Sequence, residues 1–139
     1  MFKVDVYVAG LYLEQRSSDA TAILASNQSK SIVLRFVRDV DGADIVKAWN
    51  EGFKKNASVP LAGLQRGIDQ LDRWMPAKLR SGDTLSFAFV PGKGVTVSVN
   101  NVPKGTIAGD DFARSMLAIW LGPNPPTGGL KRGLLSGVR

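Results

Sequence analysis

The chain has 139 residues, a mass of 14.9 kDa and a formal net charge of +6, which is room for one domain around one hydrophobic core. It contains neither cysteine nor histidine, which excludes disulfides, thiolate chemistry, sulfur metal sites and a Ser-His-Asp triad. With 44% apolar and 22% charged residues the composition is globular rather than disordered, and no apolar run is long enough to span a bilayer.

In chain order, the first segment alternates. Phe2, Val4, Val6 and Val8 fall on one face, with Lys3, Asp5 and Tyr7 on the other, the period of a half-buried strand. Gly10 is a candidate for a bulge or a close backbone approach, and apolar character continues through Leu11-Tyr12-Leu13. Ser17 or Ser18 is placed to cap a short helix from Ala20 to Ala25, and Asn27-Gln28-Ser29 turns. A second strand, Ser31 to Val37, puts Ile32, Leu34 and Phe36 on one side. Extending its alternation by one step puts Arg38 there too. A helix follows from Asp41 to Asn56, with Ile45, Trp49 and Phe53 on one stripe. Asp41 is its expected N-cap, and Asp44 suits the positive end of the helix dipole. A third helix is expected to start at Pro60 and to bury Leu61, Leu64, Ile68 and Leu71.

The period then changes. Leu85, Phe87 and Phe89 alternate with polar or small residues, Pro91-Gly92-Lys93-Gly94 turns, and Val95, Val97 and Val99 alternate again: a hairpin. Asn100-Asn101 turns the chain toward a short strand at Thr106-Ile107-Ala108, with Pro103 marking an edge or a strand entry. Asp110 or Asp111 is expected to cap a fourth helix bearing Phe112, Met116, Ile119 and Trp120, and Gly122-Pro123-Asn124-Pro125-Pro126 stops it. The tail carries at most a short helix around Leu130 to Leu135. Hairpin strands with helices grouped between them indicate an α+β fold, a half-polar sheet covered on one face by helices. No repeat or low-complexity tract divides residues 1–139, so they read as one domain.

Several constellations invite chemistry. Asp39, Asp41 and Asp44 lack the spacing, the glycine position and the later glutamate of a calcium loop, so helix capping explains them better. Gly92-Lys93-Gly94 is followed by a strand and reads as a hairpin turn, not a phosphate loop; the Gly-Asp pairs at Gly82 and Gly109 read as turn and cap. Trp49, Trp74 and Trp120 lie on or just beyond helical apolar stripes and are expected in the core. Arg38, on the apolar side of its strand, must reach past the strand end or pair with an anion. Its nearest partners in sequence are Asp39, Asp41 and Asp44; the other reading is an arginine awaiting a ligand carboxylate. Tyr7 is either a surface tyrosine or a hydroxyl serving a ligand. The basic residues are scattered in runs no longer than a pair, with no nucleic-acid motif, which favours a solvated basic surface.

The order of segments is more specific than any one of them. Val6-Tyr7-Val8-Ala9-Gly10-Leu11-Tyr12-Leu13-Glu14, Ile32 through Val40 and Ala48-Trp49-Asn50-Glu51-Gly52 resemble the bacterial chalcone-isomerase-like domain. So do Arg80 through Leu85, Pro91 through Val95, and Phe112 through Gly122. The resemblance covers nearly the whole chain. It implies a chalcone-isomerase-like open-faced β-sandwich, an antiparallel sheet packed on helices. The family includes plant enzymes that close the flavanone ring of chalcones and relatives that bind fatty acids without evident catalysis. In the fatty-acid binders an Arg and a Tyr hold the carboxylate. Tyr7 matches that Tyr, while the Gly-x-Gly-x-Arg-like segment that supplies the Arg lies upstream of the strand opening this chain and is not in it. The domain is therefore expected to lack the family's N-terminal strand. Asn50 matches a ligand-contacting Asn of the enzymes. Their Tyr and Lys fall near Ala43 and Val46, with Lys47 adjacent.

The resemblance thus implies a non-catalytic binder of a small apolar or amphipathic ligand such as a fatty acid, with Tyr7, Arg38 and Asn50 as candidate ligand-binding residues. No cofactor, metal or nucleic acid is expected. The alternatives are an intramolecular lyase acting on a phenolic substrate, and a binder of nucleic acid or an anionic surface. Nothing after Met1 resembles a secretory signal. Because bacterial members of the family often carry one, a periplasmic home is expected if the true start lies upstream.

Overall fold

The computed structural model describes residues 6–126 and 128–136. Along them run Tyr7–Leu13 (β1), Ala20–Ala25 (α1), Lys30–Phe36 (β2), Val40–Asp41 (β3), Gly42–Asn56 (α2), a 3₁₀ turn at Leu61–Gly63, Gln65–Trp74 (α3), Lys78–Leu79 (β4), Thr84–Val90 (β5), Gly94–Val99 (β6), Val102–Ile107 (β7), Asp110–Leu121 (α4) and Gly128–Ser136 (α5). Five strands form one antiparallel sheet in the order β1-β2-β5-β6-β7, and β3 pairs with β4 in a separate ribbon. The sheet is open. Its inner face is covered by helices, which is the α+β architecture expected from the strand and helix order.

The middle strands set the register. Ile32, Leu34 and Phe36 of β2 and Leu85, Phe87 and Phe89 of β5 are all buried, and they pair directly as Leu34↔Leu85 and Ile32↔Phe87. On β6, Val95 and Val97 continue the same face. Once β2 is fixed, β1 must follow it. Tyr7 lies opposite Phe36, Ala9 opposite Leu34 and Leu11 opposite Ile32, so the odd residues of β1 face the helices. This corrects the reading of Val8 as part of an inward valine row: Val8 is 56% exposed and Tyr7 is on the covered side. Val6 is buried just before the strand; Phe2 and Val4 lie outside the described residues. A slip of one residue would invert every side chain of the strand, and pairing with β2 decides against it. Gly10 pairs regularly with Val33 and makes no bulge.

At the other edge, Asn100 and Asn101 adopt positive φ values of 50° and 67°, the backbone of a tight two-residue hairpin. β7 therefore begins at Val102, four residues earlier than the sequence suggested, and Pro103 sits within this edge strand. A register shift between Val97 and Ser98 bends the pair there.

The helices depart from expectation at their ends. Asp19, not Ser17 or Ser18, caps α1, its Oδ1 accepting from Thr21 N at 3.1 Å and Ala22 N at 3.3 Å. Asp41 occupies the N-cap position of α2 without a side-chain cap bond and pairs instead with Lys78 at 3.9 Å across the β3–β4 ribbon. The third helix starts as a 3₁₀ turn after Pro60 and becomes α-helical only at Gln65. Gly109, at φ 110°, is the N-cap of α4, and Asp110 Oδ1 accepts from Gly92 N at 3.0 Å, tying the β5–β6 turn to the helix. Ile45, Trp49 and Phe53 of α2 are buried against Phe112, Met116, Ile119 and Trp120 of α4. At the centre, the Trp49 ring stands edge-on to Phe87 at 5.4 Å and to Trp120 at 6.4 Å, geometries that add to plain area burial. Trp74 is partly buried and packs over β7, where a Cβ on Gly105 would come within 2.7 Å of its ring.

Candidate ligand site

The inward register of β1 carries Tyr7 under the helical layer. Its ring packs edge-on against Phe36 at 5.6 Å, and its hydroxyl oxygen accepts from Nε1 of the fully buried Trp120 at 3.2 Å. Burial holds the phenol pKa above its ordinary value, because the phenolate is poorly solvated there; the bond from Trp120 offsets this in part. Among the described residues no acceptor takes the hydroxyl proton. The phenol is therefore a donor still available on the wall of a cavity.

That cavity measures about 40 Å³ and is lined chiefly by Tyr7, Trp49, Gly52, Ile119 and Pro125, with Glu51 and Lys55 as its charged residues. Ala48, Gly52 and Lys55, spaced at i, i+4 and i+7, share one face of α2. Gly52 permits close approach of the two helices: a Cβ there would lie 2.8 Å from Ile119 Cγ2 on α4. The remaining wall is the segment after α4. Asn56 holds it by donating to Asn124 O at 2.9 Å and accepting from Asn124 N at 2.8 Å, a two-bond clamp of the kind one strand makes on another. Lys131 adds a bond to Gly122 O at 2.9 Å.

A larger groove, of about 590 Å³, runs between α1, the end of α2 and α4, with Leu24, Ala57, Ala118 and Pro123 among its apolar lining. Its charged lining residues are Lys55 and Arg114, both exposed. Ser115 also lines it, and its buried Oγ has no hydrogen-bond partner among the described residues. Lys55 thus borders both the Tyr7 cavity and the groove, and an open depression bounded by Lys55, Pro123, Asn124 and Pro125 lies between them. A further cavity of about 70 Å³ lies beside α1. There Lys30 donates to Ser26 O at 2.8 Å, and its pKa is lowered by burial and then by Arg114.

Of the three candidate residues, only Tyr7 lines this site. Arg38 was expected on the apolar side of its strand, but β2 ends at Phe36 and the next residues bend, so alternation no longer applies and Arg38 is exposed. Asn50 sits on α2 but turns toward α3. Its Nδ2 donates to Val46 O at 2.8 Å and to Asp72 Oδ2 at 3.1 Å. Burial raises the pKa of Asp72, and the bond from Asn50 works against that rise. Ala43, Val46 and Lys47 are not among the residues lining the Tyr7 cavity. Asp39 is taken up in a loop bond from Ser81 N at 2.9 Å. Sequence reasoning passed over Lys55 and the Tyr7–Trp120 bond. Lys55 was within reach, since it stands two helical turns beyond Ala48 on the same face. The Tyr7–Trp120 bond joins residues 113 apart in sequence and left no local signal.

An open antiparallel sheet with helices on one face and a partly buried tyrosine between the layers defines a class of α+β scaffold. The family model described as chalcone isomerase-like matches residues 1–136, and the chain belongs to that family. Its fold is similar to the crystal structure of a fatty-acid binding protein of Arabidopsis thaliana, with a TM-score of 0.71 and 14% identity over 95% of this chain and 77% of that one. No curated protein sequence matches the chain.

Proposed function

We propose that this protein is a non-catalytic binder of a single-chain amphipathic ligand, a fatty acid being the simplest case. The observation that carries the reading is the position of Lys55, which borders both the cavity lined by Tyr7 and the apolar groove. A carboxylate between Lys55 and Tyr7 gains one cationic neighbour and one charge-assisted hydrogen bond, and it is best placed on the groove side of Lys55, away from Glu51 of the cavity lining. The cavity itself is too small for an alkyl chain, whereas the groove volume falls within the range of about 300–1,000 Å³ usual for small-molecule sites. The chain would lie there against Leu24, Ala57 and Ala118. The fatty-acid binding neighbour of the same fold supports the ligand class. Arg38 and Asn50 are not needed for this arrangement.

The test is a titration of alkyl carboxylates of increasing length, followed by tryptophan fluorescence. Each added methylene should tighten binding about fourfold, at about 0.8 kcal/mol per CH₂, and Lys55→Glu should weaken every member of the series. Affinity indifferent to chain length, or to Lys55→Glu, would sink the reading. The lyase alternative predicts protein-dependent loss of chalcone absorbance. None above background is expected, because Ala43 and Val46 stand where the resemblance places the catalytic Tyr and Lys.

A further inference from the structure

Three openings follow one another along α4 and share their walls. The Tyr7 cavity and the apolar groove have Lys55 in common, and the groove and the cavity beside α1 have Leu24, Ala25 and Arg114 in common. Arg114, Ala118 and Gly122, spaced at i, i+4 and i+8, form one face of α4 and all line the groove. Lys55 is fixed at the far end of that face, where its carbonyl accepts from Asn124 Nδ2 at 3.2 Å. Arg114 stands two turns before Gly122, about 12 Å along the helix axis. The groove thus has a cation at each end, uncharged residues between, and no acidic residue in its lining.

The Arg114 end is not neutralised from within. Among the described residues its one ion pair is to Asp111 at 3.7 Å, between two exposed side chains, an arrangement that contributes little. In the adjoining cavity the half-buried Lys30 ammonium donates to Ser26 O and has no described carboxylate within ion-pair distance. Burial and the charge of Arg114 both act against its protonated form, and Asp110 acts for it. Asp110 is the one acid lining that cavity, and its Oδ1 is already engaged by Gly92 N. Two cations against one committed carboxylate leave positive charge where groove and cavity meet. An anion there gains the Arg114 fork and relieves the repulsion between Arg114 and Lys30. A methyl end would cover the same charged groups without pairing them.

On the amphipathic-ligand reading proposed above, on which this rests, we infer that the ligand is anionic at both ends. Its simplest form is an alkyl α,ω-dicarboxylate, with one carboxylate at Lys55 and Tyr7 and the other at Arg114 and Lys30. Paired titrations of dodecanedioate and dodecanoate, followed by tryptophan fluorescence, test it. Dodecanedioate should bind about tenfold tighter, the worth of one charge-assisted contact. A groove without the second subsite has the opposite preference, because a carboxylate would stand where a methyl group is better buried. Lys30→Gln/Arg114→Gln should bring the ratio of the two affinities to one or below, and Lys55→Glu should weaken both ligands. In the wild type, NMR titration should show the Lys30 pKa rising with dodecanedioate bound and not with dodecanoate. Dodecanoate that binds as tightly as dodecanedioate, or a preference that survives the double glutamine change, would overturn the second subsite and leave the ligand reading standing. Binding of neither would overturn both.

Discussion

Trp49 and Asn50 are consecutive on α2, yet they face two polar arrangements of opposite character. On the Asn50 side, both amide hydrogens are engaged, by Val46 O within the helix and by Asp72 of α3. On the Trp49 side, the Tyr7 phenol accepts from Trp120 but donates to no described residue, and it borders a cavity. The first arrangement joins two helices and has no donor to spare on that amide. The second has a donor left over where an apolar wall meets Glu51 and Lys55. A polar group whose bonds are made internally works as structure. One with a bond outstanding beside a cavity is where a ligand can gain affinity.

Replacing Trp49 should have the largest effect, since its side chain is 2% exposed and touches both Phe87 and Trp120. Trp49→Ala should lower denaturant stability by about 3–5 kcal/mol. Unchanged stability would refute its place in the core. Next comes Tyr7→Phe, which removes the acceptor of a fully buried indole N–H and should cost about 1–3 kcal/mol. Tyr7→Phe made in a Trp120→Phe background should cost much less, because the stranded donor is then gone. Equal costs in both backgrounds would show that the bond contributes nothing. Ligand titrations of Tyr7→Phe must accordingly be run well below its melting temperature.

Changes on the Asn50 side should be smaller. Asn50→Ala loses partly exposed hydrogen bonds and should cost about 0.5–1.5 kcal/mol, with ligand affinity unchanged. A loss of affinity without a loss of stability would return Asn50 to the binding site. The same variant removes the bond that holds Asp72 down, so the Asp72 pKa should rise further, as read by NMR titration.

The smallest effect concerns pH. The folded Asp72 binds its proton more tightly than the unfolded chain does. Its contribution to stability is therefore greatest below its ordinary pKa and is lost as pH rises through the raised, folded value. Asp72→Asn should remove this slope, so its stability relative to wild type should increase across that interval and then stay level. A constant difference at every pH would mean that Asp72 titrates alike in both states.

Local pattern was enough for the elements whose two faces differ strongly. Leu85, Phe87 and Phe89 on β5, and Ile45, Trp49 and Phe53 on α2, state their buried side without help from any neighbour, and all six are buried. The glycine and prolines after Leu121 likewise end α4 where their backbone restrictions require. β1 was different because both faces of Tyr7–Leu13 are apolar, so the alternation of the residues before it was carried forward and put Val8 on the wrong side. Pairing with β2 chose the inward side, and with it the position of Tyr7.

The site itself was less legible than the fold. Of the sequence candidates, Tyr7 lines the cavity while Arg38 and Asn50 do not. Arg38 was misplaced because a strand's alternation carries no information once the strand has ended. Asn50 faces away from the cavity because a helix turns about 100° per residue, enough to direct it toward α3 while its neighbour Trp49 enters the core. The α+β class and the core stripes were determined by the sequence alone, since each follows from contiguous residues and their spacing, and the family was legible as a resemblance in the order of segments. The Tyr7–Trp120 bond, the clamp of Asn56 on Asn124 and the meeting of cavity and groove at Lys55 were decided only by tertiary structure. Each joins segments far apart in the chain, and their approach is set by sheet register and helix packing rather than by any local preference of the residues that meet.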